Sequence, residues 1–516
     1  MCHSRQHGLC VCGRRVIGRR DFVRGCGAVL ATAGGLASAT SLAEKPEGRR
    51  VRVGLVYLSK EGSSWPYPEF NIQSREKEVL GLLKEHCAGI EFVPVAVRDP
   101  DDVQKAIALK DQVDGYLVYC VTLTWNLLDT IATIGKLGKP MVLADEFLGG
   151  SGVFLRGYTR LGQEGIPVCG VATTRPSDLV TVVRLFADPK AGTTPELFAK
   201  RCQQVYRKTF PTVGELKCLD DPVPLADIGQ CVERFKKSRF LIVGGGKSGQ
   251  ERDFLGAKGI YIGFDEFKAV YDTVDHDKAT EWADRWAKQA DKVVEATPEW
   301  IHKAGAVYLA TRELLRRHGT DTVTMNCLGG FARGQLPAYP CLGFMQLLND
   351  GRHGVCEAMP DDTLCMLMAR ILTGRPGYVS DPVLDTSKNR IIYAHCVAAT
   401  KVFGPKGKSN RFRIRTLHNH DPRGTCAQSF MPQGYMTTSF QTDFARRQMV
   451  IHQAKVVGNL NSERGCRTQL VGEVQGDISN LFQHWDHWHR VTVYGNVKEP
   501  LVEFGKALGL SIVEEA

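Results

Sequence analysis

A repeated alternation of apolar strands and amphipathic helices, beginning at residue 51, constrains the fold of this chain most strongly. Strand-forming residues dominate Val51–Tyr57, and a helical spacing of apolar residues follows over Ser74–Glu85. Further strand patterns lie at Ile90–Val93, Tyr116–Cys120 and Pro140–Leu143, with helical segments between them. Strands that alternate with helices in this way form parallel sheets covered by helices on both faces.

The alternation returns at Arg239–Val243 and continues through long helical patterns, whereas short β-rich runs separated by turn residues take over from about residue 377. A length of 516 residues, at about 150 residues per domain, also indicates about three domains. We therefore expect an α/β chain with two Rossmann-like αβα layer domains, at residues 51–177 and 178–376. A β-rich, barrel-like C-terminal domain is expected at residues 377–516.

Residues 1–43 have the layout of an export signal. They carry six arginines and one acidic residue, and a weakly apolar stretch, Cys26–Leu36, precedes a small-residue cleavage site. The pair Arg19-Arg20, with Phe22 two residues later, resembles the twin-arginine signal. We expect residues 1–43 to be a twin-arginine signal peptide that directs the folded protein to the periplasm, so that any metal is loaded before export.

Charge and cysteine content exclude several other classes of protein. Half of the net charge of +10 lies in residues 1–43, and the rest of the chain is too weakly basic to indicate a nucleic-acid partner. No apolar run reaches the ~20 residues that span a bilayer, so no integral membrane segment is expected. Thirteen of the 17 cysteines follow residue 43, without a C-x-x-C pair, which indicates buried thiols rather than a disulfide framework or zinc ribbon.

Two segments have an unusual composition. Gly244–Gly249 follows a predicted strand, but its spacing does not fit a P-loop or a dinucleotide fingerprint, so we interpret it as a turn or a sugar-contacting loop. The segment His484–His489 holds three histidines and an aspartate, which are metal-ligand types. A surface loop of aromatic and polar residues is the alternative interpretation of that second segment.

A third segment, Val355–Asp362, is acidic. Asp361 and Asp362 lie where the first turn of a helix is predicted and suit the helix dipole there. Glu357 lies in an apolar context before that turn, so a capping role does not account for it. We therefore regard Glu357 as a candidate metal ligand or general base.

Together these segments resemble the L-fucose isomerase / L-arabinose isomerase superfamily. The segments that carry the resemblance are Ala283–Trp286, Val323–Leu328, Pro340–Gly343, Val355–Ala358, Met366–Met368, Leu372–Pro376, Tyr393–Cys396, Cys466–Thr468 and His489–Gly495. The resemblance implies a chain with two αβα domains and a barrel-like C-terminal domain, and it implies that several such chains form a homo-oligomer. It also implies Mn²⁺ or another divalent metal, a monosaccharide or sugar derivative as substrate, and aldose–ketose interconversion through an ene-diolate, which is an intramolecular oxidoreduction.

Carried over to this sequence, the resemblance implies a metal site built by Glu357 and His489. His489 matches the ligand histidine that lies six residues before a glycine in the family's closing strand. Glu357 begins the Glu-x-Asp segment that supplies a carboxylate, and it is also a candidate catalytic residue. The third position of that segment is Met359, whose thioether is a poor ligand for Mn²⁺.

The remaining catalytic and substrate-binding candidates also follow from the resemblance. No acidic residue lies near Asn326–Gly334, where the family has its other catalytic glutamate. Asp361 or Asp362 could take its place at a shifted spacing, and Asp361 is the candidate second catalytic acid. His395 and Arg467 are candidates for binding sugar hydroxyls. Two alternatives stay open at this point: an exported, non-catalytic carbohydrate-binding protein, and a different carbohydrate-active enzyme on the same fold.

Overall fold

The computed structural model describes residues 50–192 and 194–516. The export signal predicted for residues 1–43 lies outside these described residues. Every helix in the described part of the chain is too short or too polar to cross a bilayer. Its strands form two five-stranded sheets, a closed barrel and a small three-stranded sheet.

The first sheet is entirely parallel. Its strands are β1 (Val51–Leu58), β2 (Ile90–Val97), β3 (Gly115–Cys120), β4 (Met141–Asp145) and β5 (Cys169–Val171). The helices of this region are α1 (Ile72–His86), α2 (Val103–Ile107), α3 (Leu128–Gly135), α4 (Ser151–Gln163), α5 (Pro176–Val183) and α6 (Pro195–Arg207). The strand order is β2-β1-β3-β4-β5, and every residue of β3 and β4 is buried, as expected for inner strands of a parallel sheet.

The second sheet has the order β11-β10-β6-β8-β7, in which only β7 is antiparallel to its neighbour. The strands of this region are β6 (Arg239–Val243), β7 (Glu251–Phe254), β8 (Ala257–Ile262), β9 (Lys292–Val293), β10 (Thr322–Met325) and β11 (His353–Cys356). The helices are α7 (Ile228–Lys236), α8 (Phe264–Tyr271), α9 (His276–Gln289), α10 (Pro298–Arg317), α11 (Cys327–Ala332), α12 (Cys341–Asn349) and α13 (Pro360–Thr373).

The C-terminal part of the chain forms an antiparallel barrel. Its elements are β12 (Tyr378–Asp385), β13 (Arg390–His395), β14 (Phe412–Arg415), β15 (Cys426–Ser429), β16 (Met436–Asp443), β17 (Gln448–Asn459), β18 (Thr468–Val474), β19 (Arg490–Tyr494), α14 (Lys498–Ala507) and β20 (Ser511–Glu514). Six strands close in the order β12-β13-β18-β17-β16-β19, because β19 pairs with both β16 and β12. Strands β14, β15 and β9 form the small sheet, and β20 adds to the outside of β17.

The predicted α/β class, with parallel sheets followed by a barrel, is confirmed. The layering of helices on both faces and the boundaries at residues 177 and 376 stay predictions. The sequence pattern did not predict β12, because Pro382 lies in its middle and proline argues against a strand. In the structure Pro382 lies opposite Tyr393 where β12 pairs with β13 in the barrel.

A buried ion pair links the last described residues to the barrel. The side chains of Arg490 and Glu515 are fully buried and joined by two hydrogen bonds of 2.8 and 2.7 Å. His452 bonds to the same carboxylate at 2.8 Å, and Tyr393 bonds to His452 at 2.6 Å. Burial would raise the pKa of Glu515, but Arg490 and His452 lower it to about 2. The carboxylate is therefore ionised and holds three barrel strands together.

We expect Glu515→Gln to lower the free energy of unfolding by about 3–5 kcal/mol, because Arg490 stays buried without its counter-ion. Urea denaturation of the full chain measures the change. Glu514→Gln is the matched control, since Glu514 is 56% exposed and pairs with Lys498, and an exposed pair contributes less than about 1 kcal/mol. Equal losses in the two variants would contradict the assigned role of Glu515.

Candidate active site

A strained turn at the carboxyl end of β11 presents the first candidate residue. Glu357 and Ala358 have φ values of 70° and 54°, a left-handed conformation that non-glycine residues rarely adopt. The turn is held by Met359, whose backbone N–H donates to the Thr324 hydroxyl at 3.1 Å. Pro360 then begins α13. Backbone strain of this kind persists where the surroundings fix a functional side chain.

Three further candidates lie at one end of the barrel. Strand β12 carries Asp381, β13 ends at His395, and His489 immediately precedes β19. Ser380 pairs with Arg490, so the antiparallel register brings Asp381 opposite His489. Closure of the barrel thus assembles these side chains from segments that are far apart in the sequence.

The four side chains converge. The Nε2 atom of His489 lies 3.6 Å from Oδ1 of Asp381 and 4.0 Å from Oε2 of Glu357. The Nε2 atom of His395 lies 3.8 Å from Oε1 of Glu357. Glu357, His395 and His489 each contribute one possible ligand atom, and these three atoms all lie within 4.8 Å of one another. Both histidines are buried, whereas the carboxylates of Glu357 and Asp381 are 30% and 24% exposed, so the cluster opens towards solvent on its acidic side.

Asp362 fixes the orientation of His489. Its Oδ2 atom lies 2.6 Å from Nδ1 of the imidazole, and both side chains are buried. The Gln441 amide donates to the other oxygen of Asp362. Because Nδ1 is engaged by a carboxylate, Nε2 is the ring atom left to face Glu357 and Asp381. A carboxylate behind a histidine in this way is the usual support of a metal-ligating imidazole.

The electrostatics of the cluster follow from this crowding of charges. Burial alone would lower the pKa of His489, but Asp362, Asp381 and Glu357 reverse that effect and raise the pKa to about 10. Burial would raise the pKa of Glu357, but contact with His395 and the charge of His489 lower it to about 2. Burial raises the pKa of Asp381. Protonated imidazole thus supplies the positive charge that a bound cation would otherwise provide.

The two other predicted site residues make different contacts. The carboxylate of Asp361 accepts a hydrogen bond of 3.2 Å from the backbone of Phe444. The buried guanidinium of Arg467 donates to the carbonyl oxygens of Thr416 and Leu417 at 2.9 and 3.1 Å. Arg467 therefore supports the segment before His418. Catalysis by Asp361 and sugar binding by Arg467 stay predictions.

Two features border the cluster. Gly244, at the end of β6, has a φ of 74°, and its carbonyl accepts a hydrogen bond from Asn326. A methyl group placed on Gly245 would lie 3.6 Å from Ala358, so the glycine loop packs against the turn that carries Glu357. Trp488, the residue before His489, packs edge-on against Trp125, which is 48% exposed.

Sequence reasoning missed Asp381 as a site residue and regarded Asp362 chiefly as a helix cap. The signal for Asp381 is an acidic residue within the β-forming segment Tyr378–Asp385. Pro382 made this segment hard to recognise as a strand. Asp362 is fully buried, which an N-terminal helix cap does not require. Both residues gain their significance only from contact with His489.

Comparison with known proteins links the chain to sugar isomerases. No protein-family model matches the sequence. A segment of 197 residues is 26% identical to the sulfoquinovose isomerases of Priestia aryabhattai and Priestia megaterium. The match covers 37% of this chain and 43% of each relative, so the chain spans less than half of their length. This is a sugar-isomerase-like relation, and it does not single out the L-fucose / L-arabinose isomerase superfamily.

A solved carbohydrate transporter from Acidothermus cellulolyticus 11B, in complex with myo-inositol, is a weak structural match. It is 11% identical, covers 63% of this chain and 87% of its own, and has a TM-score of 0.15. A score this low carries no argument about fold or function.

We expect the pKa of His489 in the metal-free protein to be near 10, and Asp362→Asn to lower it by about 1–3 units, because the imidazole loses its nearest counter-charge. NMR titration of the histidine rings measures the change. Asp361→Asn is the control, since the adjacent carboxylate bonds to Phe444 instead. An unchanged His489 pKa in Asp362→Asn would contradict the orienting role of Asp362.

Proposed function

We propose that this chain is a metal-dependent aldose–ketose isomerase that acts on a monosaccharide or sugar derivative. The observation that carries the proposal is the convergence of Glu357, Asp381 and His489, with the Nε2 atom of His489 within 4.0 Å of both carboxylates. The 26% identity to sulfoquinovose isomerases favours the same class of reaction.

The donor set suits a divalent cation such as Mn²⁺. Two carboxylates and one imidazole are hard to borderline ligands, which Mn²⁺ prefers. The family resemblance supplies only two metal ligands, Glu357 and His489, because Met359 occupies the position of a second carboxylate. Asp381 makes up this shortage from a different strand, which favours metal binding by Glu357, Asp381 and His489.

When bound, such a metal would chelate two adjacent oxygens of the open-chain sugar and favour negative charge on them. The chain's own residues provide the rest of the site. Glu357 and Asp381 expose their oxygens on the open side of the cluster, and Asp362 holds the Nε2 atom of His489 towards them. This arrangement fixes the reacting end of a sugar before any proton moves.

Proton transfer between the two carbons requires a group that is not a metal ligand. Contacts with Glu357 and Asp381 raise the pKa of His395 despite burial, so its neutral imidazole is a stronger base beside the cluster. Glu357, with a pKa lowered to about 2, is a weak base and suits ligation better. We therefore assign proton transfer to His395, with Asp361 as the alternative named by the sequence.

We expect Asp381→Asn and Glu357→Gln to lower kcat/KM for aldose–ketose exchange by at least about 100-fold, because each removes a metal ligand whose loss exceeds that of an outer partner. The assay follows ketose formation and deuterium uptake at C1 of the ketose by NMR in D₂O, with Mn²⁺. A panel of aldoses that includes a sulfonated sugar is tested.

Glu299→Gln is the matched control, since Glu299 is 65% exposed on α10, where it pairs with Lys303. His395→Gln and Asp361→Asn compare the two proton carriers: loss of turnover with retained Mn²⁺ binding identifies the one that acts. Sugar binding that survives a chelator, without product for any sugar, would overturn the isomerase and favour a carbohydrate-binding protein.

A further inference from the structure

Buried cysteines surround the candidate active site. Two sets of thiols are in mutual contact, and each includes a neighbour of a site residue in the sequence: Cys356 precedes Glu357, and Cys396 follows His395. The six cysteines are Cys327, Cys341, Cys356, Cys396, Cys426 and Cys466, all buried and all with free thiols. The isomerase chemistry proposed above uses none of them.

The second set of thiols meets a histidine. The Nδ1 atom of His418 lies 3.2 Å from Sγ of Cys396 and 3.4 Å from Sγ of Cys466. The three ligand atoms all lie within 4.8 Å of one another. The thiol of Cys426 contacts that of Cys396, but it donates to the carbonyl oxygen of Thr416 at 3.4 Å and lies outside this group of three ligand atoms.

Four separate segments bring these groups together. Cys396 follows the end of β13 and Cys466 lies just before β18, two strands that pair with His395 opposite Thr468. Cys426 is the first residue of β15. His418 lies in the connection between β14 and β15, where the hydrogen bonds of Arg467 to the two preceding residues fix the backbone.

Hydrogen bonding alone does not explain this convergence. A single ring nitrogen offers one hydrogen-bonding direction, yet two sulfur atoms approach the same Nδ1 atom of His418. In a tetrahedral zinc site, Zn–S of about 2.3 Å and Zn–N of about 2.0 Å place sulfur and nitrogen about 3.5 Å apart. The observed 3.2 and 3.4 Å are close to that separation.

We propose that Cys396, His418 and Cys466 form a second metal site that binds Zn²⁺. Thiolate and imidazole are the donors that zinc favours in closed, four-coordinate structural sites. The cluster of Glu357 and Asp381 offers oxygen instead, so the two sites select different cations. This zinc site ties the ends of β13 and β18 to the connection between β14 and β15, and it anchors the strand end that carries His395.

Cobalt substitution tests the site in the reduced, full-length protein, because Co²⁺ bound by thiolates shows a sulfur-to-metal charge-transfer absorption. With one equivalent of Co²⁺, we expect this band in the unmodified protein and in His489→Ala, which weakens only the oxygen-rich cluster. The band should be weaker in Cys396→Ser and in Cys466→Ser, because each variant removes one thiolate ligand. Cys231→Ser is the matched control, since Cys231 is a buried thiol of α7 that contacts backbone carbonyls.

X-ray absorption of the unmodified protein with one equivalent of Zn²⁺ gives a second test that no folding defect can obscure. At least two sulfur neighbours at about 2.3 Å are expected. A shell of oxygen and nitrogen only, or a thiolate band of unchanged intensity in Cys466→Ser, would overturn the site. A Cys396–Cys466 disulfide in protein purified without oxygen would also overturn it. These outcomes do not depend on isomerase activity, so this site and the proposed function can fail separately.

Discussion

The buried contact between Asp362 and His489 is the interaction on which the rest of the site depends. It joins the first turn of α13, which follows the second sheet, to the residue that enters strand β19 of the barrel. Burying two charged groups is costly unless each finds a partner, and here Gln441 completes the hydrogen bonding of the carboxylate. The same contact therefore fixes helix against barrel and aims one imidazole nitrogen at Glu357.

The surroundings of that contact separate two kinds of donor atom. On one side of His395 lie the oxygens of Glu357 and Asp381, partly open to solvent. The next residue in the sequence, Cys396, belongs to a buried group of cysteines, and its sulfur contacts His418. Hard cations prefer oxygen ligands, whereas zinc also accepts sulfur ligands. The two neighbouring sets of donor atoms would therefore select different cations.

The barrel explains why an apparent defect in the sequence need not abolish metal binding. The turn after β11 offers only one carboxylate, Glu357, because its third residue is Met359. Asp381 lies opposite His489 in the pairing of β12 with β19, and so it reaches the same cluster from another direction. The number of ligands is a property of the folded barrel rather than of one motif.

The sequence by itself determined the α/β class, the parallel sheets and the barrel, because alternating apolar patterns act within a few residues. It also singled out Glu357 and His489, whose side-chain chemistry is unusual for their local context, and the resemblance to a known family added His395. Only the tertiary structure decided that Asp381 and Asp362 join them, and that two cysteines meet His418. Such contacts depend on which strands become neighbours when the barrel closes, and no local pattern encodes that pairing.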